Sequence, residues 1–257
     1  MQYAKAFTDA LQFMWGEGFL SPGGPEEVAH MLAGRDITGW RVLDVGSGLG
    51  GVDVVLVERH RAGSVVGIDV EAQLVEAAGE LAASKGMADR LQFLLVEPGA
   101  LPFPDQSFDL VFSKDAMVHV ADKAFFFREG IRVLKPGGAL VVADWLWAED
   151  AATSPVVVDW LSKGPLKFAF TTIAEAREAM EKAGFRDIAI EERRELLQAS
   201  NREEVRTLEG PARQRLAQLV GDEMADNRLR SARGRQAALD SGDLIPSHMK
   251  GRRPASG

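Results

Sequence analysis

Apolar and polar residues change their period along this chain, and the changes mark out its elements. Tyr3, Phe7, Leu11, Met14 and Trp15 recur at helical spacing and predict an amphipathic helix within residues 1–20. The following stretch, Gly16-Glu17-Gly18-Phe19-Leu20-Ser21-Pro22-Gly23-Gly24-Pro25, is too rich in glycine and proline for regular structure. A second helix is predicted over Glu26 to Ala33, with Pro25 at its first position. From residue 41 short apolar runs alternate with longer amphipathic ones. They predict strands near 41–45, 64–68, 91–96, 108–113 and 138–144, and helices near 51–61, 71–85 and 122–134. Such alternation implies right-handed crossovers and a parallel sheet.

Lys135-Pro136-Gly137-Gly138 is expected to stop the helix before it and turn into the fifth strand. Residues 145–171 carry Trp145, Trp147, Trp160, Phe168 and Phe170 without clean periodicity. Two readings stay open for them, an insertion lining a pocket and aromatic packing onto the sheet. Beyond lie a helix from Thr172 to Ala183, stopped by Gly184, and a strand from Arg186 to Glu191. Residues 192–239 read as charged helix, most of it a solvated face. Gly242 to Met249 is expected as a closing edge strand and 250–257 as a frayed tail. The chain divides into a helical lid (1–40), an α/β core (41–191) and a helical cap with the closing strand (192–257), all within one structural domain.

Composition narrows the function. With 257 residues, 46% of them apolar, the chain can bury a large core. A net charge of −8 argues against nucleic acid as a substrate, because phosphate contacts need a basic surface. The absence of cysteine removes disulfides, thiolate metal sites and cysteine nucleophiles together, and no metal site is expected. No apolar run approaches the ~20 residues that cross a bilayer, and no basic-then-apolar leader opens the chain. A cytoplasmic enzyme, monomeric or weakly dimeric, with no membrane partner is the expectation.

The candidate chemistry sits where the first strand ends. Val42 to Val45 runs into Gly46-Ser47-Gly48, and a helix pattern begins near Gly50. Glycines there let the chain fold sharply and let a ligand approach the main chain. About 20 residues on, the second strand ends in Asp69, placed to hold a ribose diol. Gly46, Gly48 and Gly51 loosely match a dinucleotide fingerprint, so a nicotinamide or flavin enzyme is one reading. Asp44, however, lies inside the strand, where a phosphate-binding loop gains nothing from a carboxylate. Asp44-x-Gly-x-Gly-x-Gly resembles the first motif of class I S-adenosylmethionine-dependent methyltransferases, whose ligand carries an ammonium and a sulfonium. A strand-turn-helix without ligand leaves the two acidic strand ends unexplained. Ligands in open α/β sheets sit beyond the carboxyl ends of the strands, here Gly46 to Gly50, Asp69-Val70, Glu97-Pro98, Ser113 to His119 and Asp144-Trp145.

Between Trp15 and Trp145 the chain is similar to the short, single-domain phosphoethanolamine N-methyltransferases. The shared blocks are Trp15 to Gly24, Val42 to Gly51, Gly67-Ile68-Asp69, Ser113-Lys114-Asp115-Ala116-Met117-Val118-His119 and Leu134 to Gly138. The resemblance implies a Rossmann-like class I methyltransferase fold: a mostly parallel seven-stranded sheet, helices on both faces, an N-terminal helical lid and a helical cap. It implies S-adenosylmethionine as cofactor, bound by Ser21, Asp44, Gly46, Ser47, Gly48, Asp69, Val70, Glu97, Pro98 and Lys114. Gln2-Tyr3 falls on the family's Gln-Tyr pair, so Tyr3, the only tyrosine, is carried over with His119 as the catalytic pair and Asp115 as a wall of the acceptor pocket. Gln2, Trp145, Trp160, Phe168 and Arg230 are the implied acceptor-binding residues. Trp145, Trp160 and Phe168 replace phosphate-binding tyrosines, and the family's arginine is lost near Gly164, so the pocket is more aromatic and less anion-seeking than the family's.

A small-molecule amine is the expected acceptor. An ammonium must lose a proton before it attacks, and His119, with an ordinary pKa near 6.5, suits that task with help from the Tyr3 hydroxyl. Trp145, Trp147 or Trp160 would hold a cation by ring-face attraction of about 0.5–2 kcal/mol each. Plainer readings stand beside these: a helix-edge His119, Tyr3 as a helix staple, tryptophans as core, and structural roles for His30, His60 and His248. Rival functions are carbon or oxygen methylation, for example of a prenyl diphosphate or phenol, and a non-catalytic module that binds S-adenosylmethionine.

Overall fold

The computed structural model describes residues 3–162 and 166–255. Seven strands form one sheet in the order β3-β2-β1-β4-β5-β7-β6. They are β1 (Arg41–Val45), β2 (Ser64–Asp69), β3 (Leu91–Leu95), β4 (Phe108–Lys114), β5 (Leu134–Trp147), β6 (Arg186–Glu192) and β7 (Leu244–Arg252). The first five pair in parallel, and β7 runs antiparallel to both β5 and β6.

Successive residues of a strand face opposite sides, so each central strand feeds two apolar layers. Val42, Leu110, Phe112 and Val141 face α2 (Gly24–Met31) and α3 (Gly51–Glu58). Leu43, Val111, Leu140 and Val142 face α5 (Lys123–Val133) and α7 (Ile173–Ala183). Helix α4 (Ala72–Ser84) packs outside β2 and β3. Val28, Met31 and Leu32 belong to the first layer, so within the expected lid α2 is core. α1 (Lys5–Trp15), by contrast, packs on the helices of the cap, with Ala10 buried against Leu208, Leu216, Ala225 and Ala232.

Several expectations are corrected. The Lys-Pro-Gly-Gly segment is not a turn ahead of the fifth strand. It lies within β5, which starts at Leu134 opposite Phe108 and bulges before regaining register at Leu110 and Ala139. The last strand is not an edge. β7 sits between β5 and β6, and its nearly continuous burial contrasts with β6, the exposed edge. Nor does the tail fray at 250–253. Lys250 to Arg252 belong to β7, and the Arg253 guanidinium donates to the carbonyls of Ile131, Arg132 and Leu134.

The insertion contains α6 (Pro155–Ser162), and the charged stretch is three helices: α8 (Arg194–Glu209), α9 (Ala212–Val220) and α10 (Asp222–Asp240). Gly210-Pro211 and Gly221 break it. That stretch is less solvated than expected, for Asn201, Glu204, Arg228 and Arg235 are buried. No helix among the described residues is long and apolar enough to cross a membrane.

Candidate active site

A cavity of 580 Å³ opens beyond the carboxyl ends of β1, β2 and β4, bounded by Tyr3 and the loop that follows α1. One wall is made by main chain. Gly46 has φ +82, and a Cβ there would overlap the Cβ of Ala116, so the turn admits only glycine. The Gly48 amide donates to Asp69 Oδ2 at 3.0 Å and the Glu71 amide to Oδ1 at 3.0 Å, which fixes the carboxylate at the end of β2. Burial pushes the Asp69 pKa above its ordinary value, against these backbone donors. The loop after α1 is pressed onto the glycine turn: Gly51 N–H donates to the Gly18 carbonyl at 3.1 Å, and a Cβ on Gly18 would lie 2.8 Å from Gly51 Cα.

The opposite wall is made by side chains. The Tyr3 hydroxyl lies 3.4 Å from Nε2 of His119, and His119 Nδ1 lies 2.8 Å from the Lys167 carbonyl. A carbonyl only accepts, so Nδ1 carries the proton and the Nε2 lone pair faces Tyr3. Burial lowers the His119 pKa, opposed by the Lys167 carbonyl and by the Asp69 and Asp115 charges, and the neutral ring prevails at neutral pH. Burial, together with Asp69, Asp115 and Glu71, raises the Tyr3 pKa, which keeps the phenol protonated and able to donate. Asp115 adopts φ +55; its Oδ1 accepts from Trp145 Nε1 and its Oδ2 from Lys114 Nζ, each at 2.7 Å. Lys114 Nζ also donates to Ser21 Oγ at 2.6 Å and to the Pro22 carbonyl at 2.8 Å, which uses all three of its protons.

Of the residues expected from sequence, Tyr3, Ser21, Gly46, Ser47, Gly48, Asp69, Val70, Glu97, Pro98, Lys114, Asp115 and His119 line this one cavity. Val70, Glu97 and Pro98 form its exposed rim. Asp44 does not reach the wall. It lies beneath the turn, 1% exposed, beside the buried Asp53 of α3, and burial pushes its pKa up to about 7. Trp145, Trp160 and Phe168 do not line the cavity either. They stack ring on ring behind His119, at centroid spacings of 6.0 Å (Trp145–Trp160), 6.0 Å (Trp160–Phe168) and 5.3 Å (Phe168–His119). Arg230 is exposed on α10 and bonds Asn227. Gln2 lies outside the described residues, as does the Gly164 position.

Residues missed from sequence include Phe19 and Leu20 of the loop, Glu71, and the apolar floor of Val96, Leu101, Phe125 and Phe126. The glycine pair at 18 and 51 was the available signal for the loop. Nothing in the period of α5 marks Phe125 as facing a cavity. Among the described residues, no cluster of three His, Asp or Glu side chains is arranged to hold a metal ion.

The profile of the methyltransferase domain family matches residues 38–198. The chain belongs to that family. This methyltransferase-family chain is 29% identical over 194 residues to a phosphoethanolamine N-methyltransferase of Triticum aestivum, which covers 75% of the chain but 37% of the relative. It therefore spans well under half the length of the curated relatives it matches first. It is 45% identical over 112 residues to the 2-methyl-6-phytyl-1,4-hydroquinone methyltransferase of a Synechocystis strain, covering 44% of the chain and 34% of that protein. Its fold matches Haemonchus contortus phosphoethanolamine N-methyltransferase 2, solved with phosphomonomethylethanolamine and S-adenosylhomocysteine, at a TM-score of 0.90 and 24% identity. That match covers 99% of the chain and 59% of the other.

Proposed function

We propose that this protein transfers a methyl group from S-adenosylmethionine to the nitrogen of a small amine. The observation that carries the reading is the Nε2 lone pair of His119, fixed by the Lys167 carbonyl and met by Tyr3, inside a cavity whose other wall is a glycine turn closed by Asp69.

The residues fit the donor. Ser47 Oγ lies on the wall, buried without a partner, and the main chain at Gly46 leaves no room for a side chain, so the turn accepts a polar ligand end at close approach. Ser21, Gly46, Ser47 and Gly48 would hold the methionyl end, Asp69 the ribose hydroxyls, Val70 the adenine face, and Glu97 and Pro98 the adenine edge. Asp44 supports the turn from below, and Lys114 acts through Ser21. When bound, the donor supplies an electrophilic methyl on a sulfonium.

The chain's own residues do the rest. Holding amine and methyl in line supplies several kcal/mol of a barrier that in model systems falls by about 7–11. Tyr3 accepts the amine proton as its own passes to His119 Nε2. Burial and the carboxylates around it keep the phenol protonated at rest, so it has a proton to hand on. The imidazolium that forms is stabilised by the Asp69 and Asp115 charges.

Charge supports the acceptor class. Asp69, Glu71, Glu97 and Asp122 line the cavity, together with Asp115, paired with Lys114, and Glu129, paired with Arg132, so the lining keeps an excess of negative charge. A cationic amine is favoured there and a phosphate ester is opposed.

His119→Ala is expected to lower turnover by about 10²–10⁴-fold while donor affinity by calorimetry is unchanged. Unaltered turnover removes the base from the reading. A second reading, methylation of an activated ring or of oxygen, draws on the 45% identity to the hydroquinone methyltransferase and on the apolar floor. Mass shifts across amines, their phosphate esters and phenols separate the two.

A further inference from the structure

The cap buries charge where its sequence promises a solvated surface. Glu204 of α8 accepts hydrogen bonds from Arg228 and Arg235 of α10, and all three side chains are at most 5% exposed. Asn201 accepts from Arg235 Nε. Two guanidiniums sharing one carboxylate in the interior need further partners, and they find them in aromatic faces. Arg228 lies 4.6 Å from the Trp15 ring centroid, and Arg235 lies 5.6 Å from that of Trp15 and 5.5 Å from that of Trp145. Glu204 also accepts the Trp15 indole N–H at 3.3 Å.

Both tryptophans lead to the catalytic wall. Trp15 ends α1, the helix whose other end delivers Tyr3 roughly 16 Å away at 1.5 Å per residue. Trp145 donates its indole N–H to Asp115. We propose that Glu204, with Arg228 and Arg235, is the positioning centre of the acceptor face, setting Tyr3 through Trp15 and Asp115 through Trp145. The inference rests on the reading of Tyr3 and His119 as the deprotonating pair. It gives the cap a task that no cavity-lining residue of the cap reveals.

Trp15→Phe and Trp145→Phe test it, because each keeps a ring for the guanidinium and deletes one N–H. The affinity for S-adenosylhomocysteine, by calorimetry, is expected to stay within about twofold of the parent, while kcat falls about tenfold for the loss of a hydrogen bond to a carboxylate. In Trp15→Phe, hydrogen exchange of the α1 amides quickens. The acid limb of kcat also moves to higher pH, because a loosened α1 re-solvates His119 and its depressed pKa climbs toward 6.5. The charged and titratable groups facing His119 are Tyr3, Asp69, Asp115 and Lys123, so Trp145→Phe, which deletes the N–H to Asp115 while keeping a ring against Trp160 and Arg235, reports whether that carboxylate moves the limb. Glu204→Gln is expected to combine both losses. A lowered Tm with kcat, exchange and acid limb unchanged in both tryptophan variants overturns the proposal, as does donor affinity falling in step with kcat. Turnover lost in His119→Ala but intact in both tryptophan variants sinks the proposal and leaves the deprotonation reading. Turnover retained in His119→Ala sinks both.

Discussion

The two halves of the cavity are built on different principles. The half proposed for the donor comes from contiguous chain: a strand, its glycine turn and the end of the adjacent strand, bonded main chain to carboxylate through Gly48 and Asp69. The half proposed for the acceptor is assembled from distant segments, with Tyr3, Asp115, His119 and the Lys167 carbonyl brought together by side-chain and loop contacts. Backbone geometry leaves the first half little freedom to vary. The second can be retuned by changing what stands behind it.

The largest break in that contrast is expected from Gly46→Val. A β-branched residue at φ +82, overlapping Ala116, should reduce donor affinity by at least about 100-fold in calorimetry, with catalysis lost only as a consequence. Asp69→Ala comes next. Loss of one charge-assisted contact to a hydroxyl weakens donor binding by about 10–100-fold, and turnover at saturating donor should stay near the parent value.

The acid pair beneath the turn gives a smaller, pH-dependent effect. Burial raises the pKa of both Asp44 and Asp53 in the folded state, helped by the Asp69 charge at Asp44 and by the Asp44 charge at Asp53, so the folded protein binds more protons than the unfolded chain. Stability is therefore favoured at low pH and falls as pH rises from the ordinary aspartate value of about 3.9 toward about 7. Asp53→Asn removes one carboxylate and should flatten that slope in denaturant titrations at pH 5 and pH 8; an unchanged slope denies that the pair shares a proton. The smallest effect is expected from Arg230→Ala. An exposed residue outside the cavity should change stability by no more than about 0.5 kcal/mol and leave acceptor KM alone.

The sequence made the donor half legible for the same reason that it is rigid. A strand, a glycine turn and an acid about 20 residues on are local signals, and the turn itself requires them. Alternation of apolar runs likewise announced the five parallel strands. β7 was harder to read, because its position between β5 and β6 is a fact of long-range pairing that its local pattern does not carry. The aromatic residues at the end of β5 and beyond it announced burial without saying against what, and they proved to stack on one another and on His119.

Charge misled in the cap, since Arg and Glu at short spacing resemble a wet helix face. A subtler sign was present on α10. Ala225, Arg228, Ala232, Arg235 and Leu239 recur at intervals of three and four, so both arginines ride the buried stripe of small and apolar residues. A cation in such a stripe is a cue to look for a carboxylate on the facing helix, here Glu204.

The contact of Gly18 with Gly51 has one more consequence. Where two stretches of main chain touch with no atom to spare, the distance from that weld to any neighbour is counted in whole residues. Three residues back lies Trp15, in the grip of the cap; three residues on lies Ser21, tethered by Lys114. The segment works as a ruler between two anchors, and a single inserted residue on either side would put helix and pocket out of phase by a full peptide.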